Sequence, residues 1–282
     1  MADPITVIGA SGRSGTALCR SLLADAVSYV PVVRNAARWA ATGLPGAPLV
    51  ADLTDSSLSI ALAAATRVVS CAHARHIPAI LAAAALARRF VFLGSTRKFT
   101  RWPDAHGNGV LTGEAAFLAS GRSGVLLHPT MIYGAEGENN VQRLAALLRR
   151  LPVIPLPGGG RALVQPIHQS DVTRCLRAAL EVDWAGPHSM VIAGPKAVTY
   201  LEFVRAVAAA AGLRAPWTVP VPAAVLHALT PVTALPGLPR IRGDEVRRLM
   251  EDKAFSIDAM RRALDIDPIS MTAGLAMTFE GP

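Results

Sequence analysis

The sequence predicts an α/β fold: a doubly wound parallel sheet with a smaller C-terminal α/β lobe. Three observations carry this expectation. Short, continuously apolar runs alternate with helix-like runs through the first half of the chain. A glycine-spaced turn, "GASGRSG", joins the first apolar run to the first helix-like run. Near residue 151 the composition changes to a proline- and glycine-rich stretch, "LPVIPLPGGG".

The strand-like runs are 5–10, 29–34, 48–53, 67–72, 89–95 and 124–132, and the helix-like runs between them are 15–26, 56–65, 77–88 and 113–120. Strands that are apolar throughout, rather than alternating, are those covered on both faces, as in parallel sheets. Repeated β-α-β units with right-handed crossovers bring the strand C-termini to one edge, where ligands bind in a Rossmann sheet. The stretch 151–160 reads as a boundary and loop. Residues 1–150 are therefore assigned to the Rossmann domain, with 170–195 returning to it. Residues 151–169 and 196–282 form the smaller lobe. "QSDVTRCLRAALE" (169–181) predicts a helix capped by Ser170 or Asp171, and "SMVIAG" (189–194) a strand rejoining the sheet. "TYLEFVRAVAAAAG" (199–212) has a threonine cap and a glycine stop. "WTVPVP", a proline-interrupted apolar helix and two charged amphipathic helices near 243–254 and 256–264 complete the chain.

The 282 residues, 51% of them hydrophobic, suffice for one large domain or two tightly joined ones. Cys19, Cys71 and Cys175 lie far apart without CxxC spacing, which argues against a disulfide scaffold or a zinc site and fits a reducing cytoplasm. The start "MADPITVIGAS" lacks the basic segment of a secretory signal, and glycines break its apolar stretch. The net charge is +8, but only three of the 28 basic residues are lysines, and the arginines are scattered without interleaved aromatics. This argues against nucleic-acid binding and for a raised potential toward an anionic cofactor or substrate. The apolar stretches 77–87 and 221–238 are too short or too proline-rich to span a membrane. The second reads as a substrate-lobe core or homodimer-contact helix, with a membrane-surface helix as the alternative.

In the opening turn, Gly9 avoids obstruction where the strand ends, Gly12 admits a pyrophosphate to the backbone, and Gly15 lets the helix lie close to the sheet. With Ser11, Arg13 and Ser14 between them, they present the unpaired N–H groups and positive dipole end of a helix to a dinucleotide. An acidic residue ending the second strand would bind a ribose 2′-hydroxyl and repel a 2′-phosphate. "PVVRNAARWA" (31–40) has none; it offers Arg34 and Arg38, and Arg13 lies in the glycine turn. Guanidinium groups suit a dianionic phosphate, so NADP(H) is favoured over NAD(H). The competing reading is that these arginines merely face solvent at a helix start.

The GxxGxxG spacing does not stand alone. "LVADLTD" (49–55), "HPTMIYG" (128–134), "PIHQSDV" (166–172) and "EDKAFSIDAMRRALDIDPISMTAGL" (251–275) accompany it. Together they resemble the short-chain dehydrogenase/reductase superfamily, in its extended and atypical branches, which include NAD-dependent epimerases and dehydratases. The resemblance covers nearly the whole chain. It implies that Asp52 and Leu53 flank the adenine and that Cys71, Ala72 and His73 line the cofactor groove. It also implies that His128, Pro129 and Thr130 lie at the nicotinamide end and that Ser95 and Thr96 orient a substrate oxygen. His128 stands where the family usually carries an arginine; it either lines the nicotinamide pocket or packs behind it.

The family typically pairs a tyrosine with a lysine four residues on, the lysine lowering the pKa of a tyrosine that moves a proton. This chain has no such pair: Tyr29, Tyr133 and Tyr200 are followed four residues later by Val33, Gly137 and Val204. "GEAAFLASG" (113–121) resembles the end of the family's catalytic helix, and counting back from Glu114 puts the lysine near Val110 and the tyrosine near His106. "HGNG" is a poor helix start, so this helix is expected to shorten to about Thr112–Ala119. Three readings follow. His106 or Asp104, with Lys98 for charge and Tyr133 near the nicotinamide end, replaces the tyrosine. Alternatively the reaction needs little acid help, or the chain binds NADP(H) as a non-catalytic regulator or assembly scaffold. The favoured expectation is an NADP(H)-dependent oxidoreductase or epimerase/dehydratase-like enzyme on a small molecule. Of the other polar residues, His73 and His76 suit the cofactor groove better than a metal. His168 with Asp171 suits the tie from a loop to a helix N-terminus. Arg101 and Trp102 are either substrate contacts or loop cover.

Overall fold

The computed structural model describes residues 3–134, 140–151, 153–222, 224–225 and 247–279. In chain order the first half comprises β1 (Ile5–Ile8), α1 (Arg13–Ala24), β2 (Tyr29–Val33), α2 (Ala36–Ala40), β3 (Leu49–Val50), α3 (Ser57–Leu62), β4 (Arg67–Ser70), α4 (Ile77–Ala83), β5 (Arg89–Leu93), α5 (Ala105–Ala119) and β6 (Gly124–Pro129). The second half comprises β7 (Ile132–Tyr133), α6 (Asn140–Arg150), β8 (Val153–Pro157), β9 (Leu163–Val164), β10 (Ile167–His168), α7 (Gln169–Glu181), β11 (Pro187–Ile192), β12 (Val198–Thr199), α8 (Tyr200–Ala210) and β13 (Trp217–Val221). Helices α9 (Asp258–Leu264) and α10 (Met271–Phe279) follow.

Seven parallel strands form the main sheet in the order β11-β6-β5-β4-β1-β2-β3. The chain runs outward from β1 to β3, then crosses to β4 on the other side of β1. The strand order thus reverses between β1 and β4, which is the crevice where doubly wound sheets bind ligands. The run 48–53 is reduced to the two residues of β3, the run 124–132 divides into β6 and β7, and "SMVIAG" joins the sheet edge within β11.

Each face of the sheet carries its own core. Leu18 of α1, Leu176 of α7 and Met260 of α9 pack with Ile5, Val69 and Val91. Leu62 of α3, Ile80 of α4 and Phe117 of α5 pack on the other face with Ile8, Val68 and Phe92. This two-sided cover is why the strands are apolar throughout. A third cluster joins Val141 of α6, Ile154 of β8, Phe203 of α8 and Leu275 of α10. His168, rather than Ser170 or Asp171, is the N-cap of α7, its Nδ1 accepting the Ser170 N–H at 3.2 Å. Asp171 is instead buried and accepts from Arg174 and from the Ile269 N–H.

The expected shortening of the helix before β6 does not occur. Helix α5 begins at Ala105, and the Asp104 carboxylate caps it by accepting the Gly107 N–H at 2.8 Å. Glycine lowers helix propensity by about 1 kcal/mol against alanine, yet here it permits tertiary contact. A Cβ at Gly109 would lie 2.9 Å from the His73 ring, and one at Gly113 would overlap the Ala74 carbonyl oxygen. Packing against the turn after β4 decides what local propensity opposes.

Among the described residues no helix is long and apolar enough to cross a membrane. Most of the stretch 221–238, with its membrane-surface alternative, and the start of the amphipathic run near 243 lie outside the described residues. The run 256–264 is represented by α9.

Candidate functional site

The turn between β1 and α1 lies at the strand-order reversal. Gly9 has φ +75°, and a Cβ on it would sit 3.2 Å from the Ala72 nitrogen beyond β4. A Cβ on Gly15 would overlap the Gly9 carbonyl oxygen and lie 2.9 Å from the Ala10 Cα. Helix α1 can therefore sit this close only with glycine there. The turn is braced by Gly12 N–H to Gly9 O at 2.9 Å and Thr16 Oγ1 to Ala10 O at 3.0 Å. Ser14 Oγ donates to Gln169 Oε1 at 3.1 Å, tying the turn to α7. Gly12 is the N-cap of α1 and no acidic residue stands in its first turn, so the positive end of the helix dipole faces the crevice without a carboxylate of its own. Ser11 is half-buried and Arg13 exposed.

On one side of this turn, Arg34 follows β2 and Arg38 lies in α2; both are exposed. Asn35 caps α2 by accepting the Arg38 N–H. Asp52, after β3, accepts from Thr54 Oγ1 at 2.6 Å and Thr54 N–H at 2.9 Å. These bonds, then the charges of Arg34 and His76, hold its carboxyl below the ordinary range. Leu53 packs on the neighbouring core.

On the other side lie the ends of β4, β5 and β6. Cys71 and Ala72 are half-buried, and burial raises the Cys71 thiol to about 12. His73 Nδ1 accepts the Arg75 N–H at 3.1 Å, while its Nε2 is buried without a partner among the described residues. The His73 ring meets that of His106 edge to face, centroids 4.3 Å apart. Burial, then the neighbouring His106, Arg75 and His76, bring the His73 pKa down to about 4. Burial, then Arg97, also lowers that of His106, so both imidazoles are neutral at pH 7. Ser95 Oγ accepts the Arg97 N–H at 3.1 Å, and Thr96 Oγ1 donates to Pro129 O at 3.2 Å. Thr130 Oγ1 donates to the Gln165 carbonyl.

Two expected site residues are engaged elsewhere. Lys98 Nζ lies 2.5 and 2.6 Å from the two Glu114 carboxylate oxygens. Tyr133 is buried in the third cluster, its hydroxyl 3.5 Å from Met271 O. The His128 ring is 1% exposed and lies behind Gly94, with Nδ1 accepting the Ser95 N–H at 3.3 Å. The loop leading to α5 is fastened to the segment 247–252. Thr100 Oγ1 and Arg101 N–H donate to Glu251, and Arg248 lies 3.8 Å from Asp104, which also pairs with Arg97. The Arg247 guanidinium stands 5.3 Å from the half-exposed Trp102 ring.

No protein-family model and no curated protein matches this sequence. Solved structures do match in shape. The chain is similar to the NADPH-dependent quinone oxidoreductase of Escherichia coli, complexed with NADPH: TM-score 0.75 at 18% identity, over 98% of this chain and 99% of that one. It is similar to the UDP-glucuronic acid 4-epimerase of Bacillus cereus, in complex with UDP-glucuronic acid and NAD, with TM-score 0.74 at 16% identity over 99% and 98%. A short-chain dehydrogenase/reductase superfamily protein from Agrobacterium tumefaciens, with bound NAD, gives TM-score 0.73 at 15% identity over 98% and 96%. The likeness is one of fold: these structures share the doubly wound Rossmann architecture described above.

The two α5 positions reached by counting from Glu114 are occupied by His106 and Val110. His106 is in the first helical turn against His73, and Val110 is 1% exposed in the core. Sequence reasoning overlooked Ser189 as a polar partner and used Glu114 only as a landmark. The available signal was a lone hydroxyl in the apolar run "SMVIAG" and a lone carboxylate in the apolar helix "TGEAAFLA".

Proposed function

We propose that this chain is an atypical member of the short-chain dehydrogenase/reductase superfamily. In this reading it binds a nicotinamide dinucleotide, prefers NADP(H), and acts as an oxidoreductase or epimerase/dehydratase-like enzyme on a small molecule. The observation that carries the reading is the glycine turn at the strand-order reversal, where the close approach of Gly15 to the Gly9 carbonyl packs α1 onto β1 and aims its N-terminus, capped by Gly12, at the crevice. Such a turn with an open helix N-terminus fits a pyrophosphate. Gly9, Ser11, Gly12, Arg13, Ser14 and Gly15 would hold it. Arg34 and Arg38 would meet a 2′-phosphate, and Asp52 with Leu53 the adenine. Cys71, Ala72, His73, Pro129 and Thr130 would border the nicotinamide half. When bound, the group supplies a hydride acceptor or donor.

His106 is the residue proposed to handle the proton, beside Ser95 and Thr96. As a neutral imidazole it can accept a proton from a substrate hydroxyl and is a weaker donor to a carbonyl, so the oxidative direction suits it better. Lys98 contributes no free ammonium, since Glu114 neutralises it. That same pairing favours the second reading, a non-catalytic NADP(H)-binding regulator or scaffold. A reducing cytoplasm is the compartment we assign, from the wide, CxxC-free spacing of Cys19, Cys71 and Cys175.

Calorimetry of the whole chain with NADPH and NADH tests the cofactor assignment. NADPH should bind at least about tenfold more tightly, and Arg34→Ala should abolish the difference. Equal affinities that Arg34→Ala leaves unchanged would refute the 2′-phosphate assignment. A carbonyl and alcohol panel then separates enzyme from binder: tight NADPH binding with no turnover on any member selects the second reading.

A further inference from the structure

Behind the Ser95–Thr96 turn lies a group of four polar side chains that the proposed chemistry leaves unused. Lys98 comes from the turn after β5, Glu114 from α5, His128 from β6 and Ser189 from β11. Lys98 holds both Glu114 oxygens, and Ser189 Oγ donates to Glu114 Oε1. His128 Nε2 lies 3.2 Å from Glu114 Oε1, 3.0 Å from Ser189 Oγ and 3.3 Å from Lys98 Nζ. Because Nδ1 accepts the Ser95 N–H, the neutral ring carries its proton on Nε2 and presents it to the carboxylate. Gly94 leaves room for this: a Cβ there would stand 2.8 Å from His128 Cε1.

An apolar filling of this space would avoid the desolvation of a largely buried ion pair, and such replacements are often neutral or stabilising. What apolar side chains could not supply is an acceptor for the Ser95 N–H. The turn is thereby tied twice to the end of β6, by Ser95 to His128 and by Thr96 to Pro129 O. It stands at the end of β5, two strands from the glycine turn after β1. If the pyrophosphate lies at that turn with the adenosine over Arg34, the other nucleoside half falls toward Ser95.

We infer that His128 is a positioning residue for the nicotinamide half of the cofactor, fixing the Ser95–Thr96 turn while Glu114, Lys98 and Ser189 hold the imidazole from behind. The inference rests on the proposed dinucleotide site, and its test separates the two. The probes are NADPH and 2′-phospho-ADP-ribose, the same molecule without nicotinamide, titrated calorimetrically into the whole chain. His128→Leu removes the acceptor, whereas His128→Asn places an amide oxygen near the former Nδ1. His128→Leu should raise the Kd for NADPH about tenfold, and His128→Asn should restore most of the loss. The Kd for 2′-phospho-ADP-ribose should be the same in all three proteins. If His128→Leu fails to fold by thermal unfolding, Ser189→Ala must raise the Kd for NADPH while leaving that of 2′-phospho-ADP-ribose unmoved. Parallel weakening of both probes would show a merely structural role and overturn the inference, as would an unchanged NADPH affinity. Wild-type protein that binds neither probe would instead refute the dinucleotide site, and the inference with it.

Discussion

Gly113 of α5 faces the Ala74 carbonyl so closely that a Cβ on it would overlap the oxygen and lie 2.7 Å from the carbon. The contact joins the middle of the helix to the turn that carries His73. Replacing Gly113 with alanine would improve helix propensity by about 1 kcal/mol, but overpacking costs typically 1–3 kcal/mol or more. Backbone on both sides leaves little room to yield. Urea unfolding of Gly113→Ala should therefore show a net loss of roughly 1–2 kcal/mol. A gain in stability would show that α5 is not held against this turn.

Helix α5 also shows where sequence reading stops. The glycine turn between β1 and α1 was legible because its cause is local: a strand, a turn and a helix within about a dozen residues. The start of α5 was misread because Gly107, Asn108 and Gly109 of "HGNG" count against a helix in any local scale. The compensation for the two glycines lies in the turns after β5 and β4, at Arg97 and His73. The polar group around Glu114 was invisible for a related reason. Ser189 pairs with Leu126 in the β11–β6 ladder, and the two-residue period of a strand places it on the same face as His128. That register depends on which edge of the sheet β11 joins, and no local pattern states it.

The phosphate cradle makes its own prediction. Gly15→Ala must displace either α1 or the Gly9 carbonyl, because the new Cβ would overlap backbone rather than a mobile side chain. Isothermal titration should show the Kd for NADPH rising by roughly 10–100-fold, for a distortion on the order of 1–3 kcal/mol. Retained affinity would mean that the dinucleotide does not depend on this turn.

His106 is the residue on which the proposed chemistry turns. Its replacement by alanine should lower kcat by about 10²–10⁴-fold on whichever substrate the panel yields, with the NADPH Kd unchanged. The pH profile carries a sign. Burial and the neighbouring Arg97 hold the His106 pKa below its usual 6.5. A base with that property is already deprotonated at neutral pH. The oxidative rate should stay flat above about pH 7.5, a unit over the ordinary histidine value, and fall only on acidification through the lowered pKa. A rate that instead rises through pH 8–9 would implicate a different base.

Acid stability tests the buried state of His128. Its pKa is about 4 in the folded chain, against 6.5 for an ordinary histidine, because burial and then the Lys98 charge disfavour the imidazolium. Between those values the unfolded chain binds more protons than the folded one, so stability rises with pH across the window. The contribution is complete above about pH 6.5 and is lost as the pH falls to about 4. For a ring 1% exposed, a shift of this size corresponds to roughly 3 kcal/mol. Burial alone would raise the Glu114 carboxyl, but hydrogen bonds from Lys98 and Ser189 outweigh it, so the Glu114 loss lies below its ordinary 4.5 and outside most of this window. His73, His76, His106 and His168 are lowered too and act in the same sense. They are present in wild type and His128→Asn alike, so the difference between the two proteins isolates one ring. Urea midpoints measured from pH 7 to pH 4 should fall less steeply in His128→Asn, by a total approaching 3 kcal/mol. Parallel curves would mean that His128 is protonated as easily in the folded chain as in water, and therefore that it is not held neutral behind Gly94.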